Sequence, residues 1–477
     1  MSKLPLIEGI LDYVNENNIP FTMPGHKGGR GFKDTVEGKK FYDKILKCDI
    51  TEVDGVDNLH NAEDIIKESL IGLSEYYHSE KSYYLVNGST SGNLSMIFSV
   101  FNRGDKIILE RNCHRSIMNG VIMRELKTVY LQSKIHDKFS CPFSLSKKEF
   151  SEVLENNKDA KGIVVTYPNY YGICIDLQYI IREASKYNMK VLVDCAHGAH
   201  FGVIDELPKN PIILGADMAV MSSHKTLSSL TQTAYLHVGK GIDLKKVDFY
   251  VSAFMSTSPS YIMMMSMEYG WSYLKQYGEK KYKEFLQLCI EYRNKINKLK
   301  GFTLIGEEHM YTNHVEYMNT NIDLTRFVIS INRGYSSHKL LSYLRDNKIQ
   351  GEMSDGRNII LIPTPFNSED DFKKLYEILK KCDLNNLKEK DIPFLNYHIP
   401  KKIFEAYEVL DRQKEYVHIS NSKGKVAGSN IVPYPPGIPL VVQGEVIDSE
   451  AVDVIEYYYK NNLQVLGIEN EEVCIVK

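Results

Sequence analysis

The chain has 477 residues and a formal net charge of −3; 43% of its residues are hydrophobic and 25% are charged. This length predicts two or three domains, and the near-neutral charge gives no general attraction for nucleic acid. The sequence lacks both the run of about 20 apolar residues that a membrane span needs and the apolar core of a signal peptide. We therefore expect a cytoplasmic globular protein whose eight scattered cysteines are reduced thiols.

The first 60 residues are polar and rich in glycine, with little periodicity over Pro24–Lys40. We predict that residues 1–60 form an N-terminal arm that is ordered by contact with another surface. Its stretch Pro24-Gly-His-Lys-Gly-Gly-Arg30 lacks the GxxxxGK[ST] spacing of a P-loop, so the pattern does not predict a nucleotide site.

From residue 61 to about residue 320, short apolar runs alternate with helical segments. Strands are predicted at Ser82–Val86, Lys106–Glu110, Thr128–Leu131, Gly162–Thr166, Lys190–Asp194 and Met218–Met221. Helices are predicted at Leu94–Val100, Lys147–Glu155 and Leu177–Tyr187. This alternation is typical of βαβ units and predicts an α/β large domain with a mainly parallel sheet, whose ligand binds at the carboxyl ends of the strands.

The last third of the chain has a different character. Tyr261–Leu299 predicts a long helix that is broken near Gly278. Residues 321–390 predict a smaller α+β domain, with strands and helices at Phe327–Ile331, His338–Asn347, Asn358–Ile362 and Asp370–Lys381. Residues 391–477 are predicted as a C-terminal domain that includes Val432–Pro439, too rich in proline for regular structure, and a final helix, Glu450–Asn462.

Lys225 and Asp194 are the most informative pair of residues. Asp194 ends the apolar run Lys190–Asp194, and Lys225 follows the apolar run Met218–Met221, where a surface lysine is not expected. An enzyme that uses pyridoxal 5′-phosphate (PLP) needs a lysine to hold the aldehyde as a Schiff base and a carboxylate to pair with the pyridinium nitrogen. The pair therefore predicts a PLP site at the edge of the sheet.

Asn87–Asn93 lies at a predicted strand-to-helix junction. Small hydroxyl residues there leave backbone N–H groups free to hold a phosphate, although an ordinary N-cap turn has the same pattern. Ser222 and His224 could add donors to that phosphate. His114 follows a predicted strand and could stack on a flat cofactor ring; a solvated loop histidine is the alternative.

His197 and His200 are three residues apart and close to Asp194, a spacing that superficially suggests a metal site. A zinc site needs a third protein ligand at a suitable spacing, and none stands out in the sequence. No metal site is predicted.

Eight segments, in the same order along nearly the whole chain, resemble the Orn/Lys/Arg decarboxylase family, the group III PLP enzymes of fold type I. They are Met23-Pro-Gly-His-Lys-Gly-Gly29, Asp49-Ile-Thr-Glu-Val-Asp-Gly55, Asn87-Gly-Ser-Thr-Ser-Gly-Asn93, Asp105-Lys-Ile-Ile-Leu-Glu-Arg-Asn-Cys-His-Arg-Ser116, Asp194-Cys-Ala-His-Gly-Ala-His-Phe-Gly202, Ser222-Ser-His-Lys-Thr-Leu227, Ser256-Thr-Ser-Pro-Ser-Tyr261 and Pro433-Tyr-Pro-Pro-Gly-Ile-Pro-Leu440. The chain is similar to the short form, such as bacterial arginine decarboxylase, which lacks the N-terminal wing domain. It departs from the family at Cys195, where an acidic residue is common, and at Ser223, where alanine is common.

The resemblance implies catalytic roles for four matched positions. Lys225 would carry the cofactor, Asp194 would pair with the pyridinium, His114 would stack on the ring, and His197 would lie near the Schiff base. The cofactor phosphate would be held by Ser89, Thr90, Ser91, Ser222 and His224.

Two further implied roles concern the partner and the substrate. Thr257 would reach the cofactor phosphate of a neighbouring subunit, which implies a homodimer or higher homo-oligomer with a shared active site. Glu445 would help to shape the substrate pocket. The implied reaction is decarboxylation of a basic amino acid, with L-arginine to agmatine favoured over lysine or ornithine because short-form members are commonly arginine decarboxylases. The acid that would bind the cationic side chain is left open among Asp49, Glu52, Asp54, Asp57, Asp355 and Glu445.

Two other kinds of function remain open at this point. An aminotransferase or lyase of the same fold would share the PLP residues, and Arg326 or Arg357 could then clamp the substrate carboxylate. The third hypothesis, after a decarboxylase and an aminotransferase or lyase, is a non-catalytic PLP-binding protein. The joint presence of Lys225, Asp194 and His114 argues against this hypothesis.

Overall fold

The computed structural model describes residues 4–389, 398–434, 439–460 and 463–477. The predicted domain boundary near residue 390, residues 435–438 of the proline-rich stretch and the last two residues of the final predicted helix lie outside the described residues. No helix within these four ranges is both long enough and apolar enough to cross a membrane.

A large sheet organises the first two thirds of the chain. Within the described residues it has seven strands, in the order Lys81–Leu85, Ala234–Val238, Met218–Met221, Lys190–Asp194, Gly162–Thr166, Lys106–Glu110 and Lys127–Leu131. All run in one direction except Ala234–Val238, which is antiparallel to both neighbours and was not predicted. The predicted α/β fold with a mainly parallel sheet is confirmed.

One helix precedes the first strand of this sheet, and other helices lie between or after its strands, as βαβ units require. Their bounds are Ile65–Tyr77, Gly88–Val100, Arg115–Met123, Lys147–Asn156, Leu177–Ser185 and Leu244–Ala253. The predicted long helix consists of three consecutive segments: the α-helix Tyr261–Tyr273, the π-helical turn Leu274–Gly278 and the α-helix Glu279–Ile296. The turn ends at Gly278, near which a break was predicted. The long helix connects the large sheet to the next domain.

The small domain contains an antiparallel sheet flanked by two helices. Its strands are ordered Phe302–Leu304, Phe327–Ile331, Asn358–Leu361 and Met353–Ser354. The helices are Ser337–Asp346 and Glu369–Lys381. The first of these strands precedes residue 321, where the small domain was predicted to begin.

The N-terminal arm lies against its own chain over much of its length. After the helix Pro5–Asn15, the strand Ile19–Phe21 pairs in parallel with Ile349–Gly351 of the small domain. A glycine-rich loop and the helix Val36–Lys44 follow. The contact with another surface that the sequence predicts is therefore made, for this part of the arm, within the same polypeptide.

The C-terminal domain has a hydrophobic core of its own, which includes Ile419, Val441, Ile447, Ile455 and Ile475. Its elements are the sheet Lys414–His418, Glu472–Val476 and Ile468–Glu469, the helix Ser449–Lys460, and the strand pair Val432–Tyr434 with Gln464–Leu466. The expectation of no regular structure in the proline-rich stretch is thus wrong for Val432–Tyr434. A proline is tolerated there because this pair has only two strands, so one side of each needs no ladder partner.

A buried ion pair joins the C-terminal domain to the large sheet. Arg111 directly follows Lys106–Glu110, and its two terminal nitrogens donate to the two carboxylate oxygens of Glu445, each at 2.7 Å. The two side chains are only 3% and 1% exposed. Arg111 also donates to the carbonyls of Pro439 and Leu440. These bonds offset the cost of burying the two charges.

We expect Arg111→Met to destabilise the protein by about 3–5 kcal/mol, because it leaves the Glu445 carboxylate buried and uncompensated. The free energy of unfolding in urea measures the effect. Lys39→Met is the matched control: Lys39 pairs with Asp43 at the surface, where both side chains are more than half exposed, and its removal should cost less than about 1 kcal/mol. Equal effects of the two substitutions would contradict the prediction.

Candidate active site

Three neighbouring parallel strands bring the predicted residues to one edge of the large sheet. Asp194 ends the middle strand and lies in register with Thr166 on one side and Val220 on the other. The strand that contains Val220 continues into the short helical turn Ser223–Thr226, which carries Lys225. The aspartate and the lysine therefore meet where open α/β sheets bind their ligands.

Asp194 is a buried carboxylate whose nearest partners are neutral. It is 2% exposed and accepts hydrogen bonds from the side-chain amide of Asn93 at 3.0 Å and from the backbone N–H of Ala196 at 3.1 Å. No lysine or arginine of the described ranges pairs with it. A lone buried negative charge is costly, and a protonated pyridine nitrogen is the group that would compensate it in a PLP site. The residues present thus fit the cofactor.

A chain of hydrogen bonds links this carboxylate to His114. The Asn93 amide that donates to Asp194 also donates to the Ser116 hydroxyl at 2.8 Å, and that hydroxyl lies 2.7 Å from Nδ1 of His114. His114 caps the helix Arg115–Met123 and keeps its ring exposed, as stacking on a cofactor requires. The sequence reasoning missed Asn93 and Ser116 as orienting residues.

Lys225 points toward the predicted histidine. Its Nζ lies 2.9 Å from Nε2 of His197, and Nδ1 of His197 lies 3.1 Å from Nη2 of Arg326. Burial lowers the pKa of Lys225 to about 8, which raises the fraction of the free amine near neutral pH. A free amine is the form that attacks an aldehyde, so the environment suits a cofactor-holding lysine.

The predicted phosphate ligands fall into two groups. The helix Gly88–Val100 starts at the mouth of the site with the unpaired backbone N–H groups of its first turn, and the hydroxyls of Ser89 and Ser222 lie 2.7 Å apart beside it. Thr90 is exposed there as well. Ser91 differs, because its buried hydroxyl donates to the Gly88 carbonyl and so faces back into the helix.

His224 and Thr257 reach this region from other segments. Nδ1 of His224 donates to the Thr233 carbonyl at 2.8 Å, so Nε2 can donate to a phosphate only when the ring is protonated. Burial lowers the pKa of His224 to about 4, and a bound dianion would favour the protonated form. Thr257 is exposed in a turn whose Ser256 N–H donates to Asn87, so the turn lies beside the phosphate helix of its own chain.

The glycine-rich loop of the arm closes the site between two domains. The Gly25 N–H donates to the carbonyl of His224 at 2.7 Å, and its own carbonyl accepts from Thr364 of the small domain at 2.8 Å. A Cβ at Gly25 would lie 2.4 Å from the Leu227 carbonyl oxygen, which explains the glycine. The neighbouring Lys27 is fully buried, and burial lowers its pKa to about 7.

His197 and His200, whose spacing suggested a metal site, contact different residues. His200 lies 3.2 Å from the buried carboxylate of Asp323, whereas His197 contacts Lys225 and Arg326. Across the ranges that the structure describes, no group of three or more His, Cys, Asp or Glu side chains could hold a metal ion.

Three of the six acids considered for the substrate side chain are engaged within this chain. Both oxygens of Glu445 are held by Arg111, as described above. The carboxylate of Asp57 accepts hydrogen bonds from the backbone N–H groups of Asn58 and Lys67. The carboxylate of Asp355 accepts hydrogen bonds from those of Arg357 and Asn358. The exposed acids are Asp49, Glu52 and Asp54.

Comparison with known proteins gives consistent matches over the whole chain. The family model of Orn/Lys/Arg decarboxylase, major domain, matches residues 4–371, and that of the C-terminal domain matches residues 397–465. The chain is 32% identical to the uncharacterized protein YaaO of Bacillus subtilis (97% of this chain, 96% of the other) and 30% identical to the arginine decarboxylase of Bacillus anthracis (98% and 95%). Its fold matches that of the Francisella novicida lysine decarboxylase LdcF with a TM-score of 0.80 at 18% identity (99% and 83%).

Glu110, at the end of its strand next to the site, gives a pH-dependent prediction. Its side chain is buried, with the residue 2% exposed, and its carboxylate accepts hydrogen bonds from the backbone N–H of Thr166 and the hydroxyl of Ser133. Burial raises its pKa from 4.5 to about 7. The folded state thus binds this proton more tightly than the unfolded state does. The stabilisation is complete below about pH 4.5 and is lost as the pH rises through about 7, a change on the order of 3 kcal/mol.

Glu110→Gln should remove this dependence, so the variant gains stability relative to the wild type as the pH rises from about 4.5 to about 7, and the difference then stays constant. Urea unfolding at several pH values measures the difference. Glu75→Gln, on the exposed face of Ile65–Tyr77, is the control and should show a flat difference. A flat difference for Glu110→Gln as well would contradict the raised pKa.

Proposed function

Because the chain belongs to the Orn/Lys/Arg decarboxylase family, it is a PLP-dependent amino-acid decarboxylase, and we propose that it converts L-arginine to agmatine and CO₂. The observation that supports arginine is the similarity to the Bacillus anthracis arginine decarboxylase over almost the full length of both chains. Agmatine is a precursor of polyamines, so the enzyme would serve polyamine biosynthesis in the cytoplasm. Lysine and ornithine are the alternative substrates.

In this proposal, each residue of the site has a role that follows from its surroundings. PLP, when bound, supplies the electron sink that accepts the electrons of the bond between Cα and the carboxylate. Asp194 would hold a proton on the ring nitrogen, and Lys225 would hold the aldehyde group of the cofactor. His114, which is oriented through Ser116 and Asn93, would stack on one face of the ring and exclude water from it.

The proposed homodimer has its shared site near Thr257. The arm contacts this turn, because the His60 ring lies 2.7 Å from the Ser256 carbonyl. The segment before His60 carries the exposed apolar residues Leu46, Ile50 and Val53 next to the exposed acids Asp49, Glu52 and Asp54. Exposed apolar side chains grouped in this way are typical of a protein interface. The acids on that surface are the ones available to a substrate bound by the partner.

Product analysis tests the substrate. Purified enzyme is incubated with arginine, lysine and ornithine in parallel, and amines, keto acids and CO₂ are quantified. We expect agmatine, with a kcat/KM for arginine at least about tenfold above that for the other two, equivalent to about 1.4 kcal/mol. Lys225→Ala is the control and should lose steady turnover. Faster formation of cadaverine or putrescine would overturn the choice of arginine.

Subunit mixing tests the shared site. Lys225→Ala and Thr257→Asp are each expected to be inactive, the second because its charge repels the phosphate. If Thr257 acts across the interface, a mixed dimer contains one intact site, and a statistical mixture should regain about a quarter of wild-type activity. Mixing Lys225→Ala with the Lys225→Ala/Thr257→Asp double variant is the control and should regain none. Failure to regain activity despite demonstrated exchange would place Thr257 at the phosphate of its own chain.

A further inference from the structure

Three side chains from two domains form a continuous buried contact at the centre of the site. Lys225 and His197 belong to the large domain, and Arg326 directly precedes the strand Phe327–Ile331 of the small domain. The ring of His197 lies between the other two, with Nε2 at 2.9 Å from Nζ of Lys225 and Nδ1 at 3.1 Å from Nη2 of Arg326. His197 is 5% exposed and Arg326 is 1% exposed.

The position of Arg326 is built into the local backbone. Its N–H donates to the Asp323 carbonyl at 2.9 Å, and the Asp323 N–H donates to the carbonyl of Gly172 at 2.8 Å. Gly172 has a φ of +79°, and a Cβ there would lie 2.8 Å from Cβ of Arg326. A side chain at Gly172 would therefore displace the arginine, so the contact with His197 depends on this glycine.

The contact with Arg326 decides which nitrogen of His197 carries the proton. A guanidinium has only N–H donors and stays protonated in proteins, so Nδ1 of His197 must accept. A neutral ring that accepts at Nδ1 carries its hydrogen on Nε2, and a second proton would place an N–H against the guanidinium. Burial lowers the pKa of His197 well below its usual value, in agreement with a neutral ring.

The same argument extends to Lys225. With its hydrogen on Nε2, His197 presents a donor to Nζ, and only an uncharged amine has the lone pair that can accept it. An ammonium group would place two donors against each other. The other titratable or charged groups around Lys225 and His197 include Asp194, His114, His224, Glu352 and Tyr170, whose ring centroid lies 4.8 Å from that of His197. Asp194 and Glu352 favour the ammonium form, so the donor from His197 opposes them.

We propose that Arg326 is a positioning residue that holds His197 in the neutral Nε2–H tautomer, and that this donor favours the free-amine form of Lys225 whenever the lysine is released from the cofactor. The role concerns how the lysine is made ready to recapture an aldehyde. It goes beyond the choice of substrate and does not depend on which basic amino acid is decarboxylated.

Ring-nitrogen NMR of the holoenzyme tests the tautomer directly. The full-length protein is labelled with ¹⁵N in the histidine rings, and the His197 signals are assigned by their loss in His197→Gln. In the wild type we expect a neutral Nε2–H ring from pH 6 to pH 9. Finding Nδ1–H or the imidazolium in the wild type would overturn the proposal without the need for any variant at Arg326.

Two substitutions separate positioning from other roles of Arg326. Arg326→Met removes the donor, and we expect His197 to populate Nδ1–H or to protonate near its ordinary pKa of about 6.5, while kcat falls about tenfold or more. Arg326→Lys keeps a charged donor and should retain the wild-type tautomer and most of kcat. An unchanged tautomer in Arg326→Met, accompanied by a raised KM, would show that Arg326 binds substrate instead and would overturn the proposal.

Discussion

The buried charge of Asp194 is the constraint around which the site is arranged. A carboxylate at the carboxyl end of a central parallel strand cannot reach water, and its two hydrogen-bond donors are neutral. Such a charge is stabilised when a cation approaches it, and the protonated ring nitrogen of PLP would be that cation. The side-chain amide of Asn93 also donates to Ser116, which contacts His114. Asp194, which would pair with the ring nitrogen, and His114, which would stack on the ring, are therefore oriented by one hydrogen-bond network.

The sequence predicts the sheet and the central pair because both depend on local patterns. Apolar runs of four or five residues mark the strands, and their ends mark Asp194 and the turn of Lys225. The orienting residues have no such signal, since Asn93 and Arg326 meet their partners 101 and 129 residues away. The sequence marked Asn93 only as the end of a junction that could hold a phosphate and Arg326 only as a candidate clamp for a carboxylate, and their hydrogen-bond partners become apparent only in the fold. The strand Ala234–Val238 was not predicted; it runs antiparallel to both of its neighbours, an arrangement that a pattern of βαβ units does not indicate.

The arm shows how a segment without periodicity can still be ordered. Its glycine-rich loop bonds to the carbonyl of His224 on one side and to Thr364 on the other, and Gly25 is required by the close approach of Leu227. On the side of the loop, these contacts are made by the backbone N–H and carbonyl of Gly25. Backbone atoms leave no hydrophobic pattern in the sequence. For this loop, the surface that orders it comes from the junction of two domains of the same chain.

A buried arginine stands at each of two junctions between the domain that carries Lys225 and another domain. Arg111 binds Glu445 of the C-terminal domain, and Arg326 of the small domain binds His197. Burying a guanidinium is expensive unless its partners are fixed, and the two arginines differ in this respect: Arg111 binds both carboxylate oxygens of Glu445, whereas Nη1 of Arg326 is buried without a hydrogen-bond partner among the described residues. Arg111 precedes the loop of His114, and Arg326 contacts the neighbour of Lys225. A shift of either outer domain would therefore disturb the surroundings of His114 or of His197.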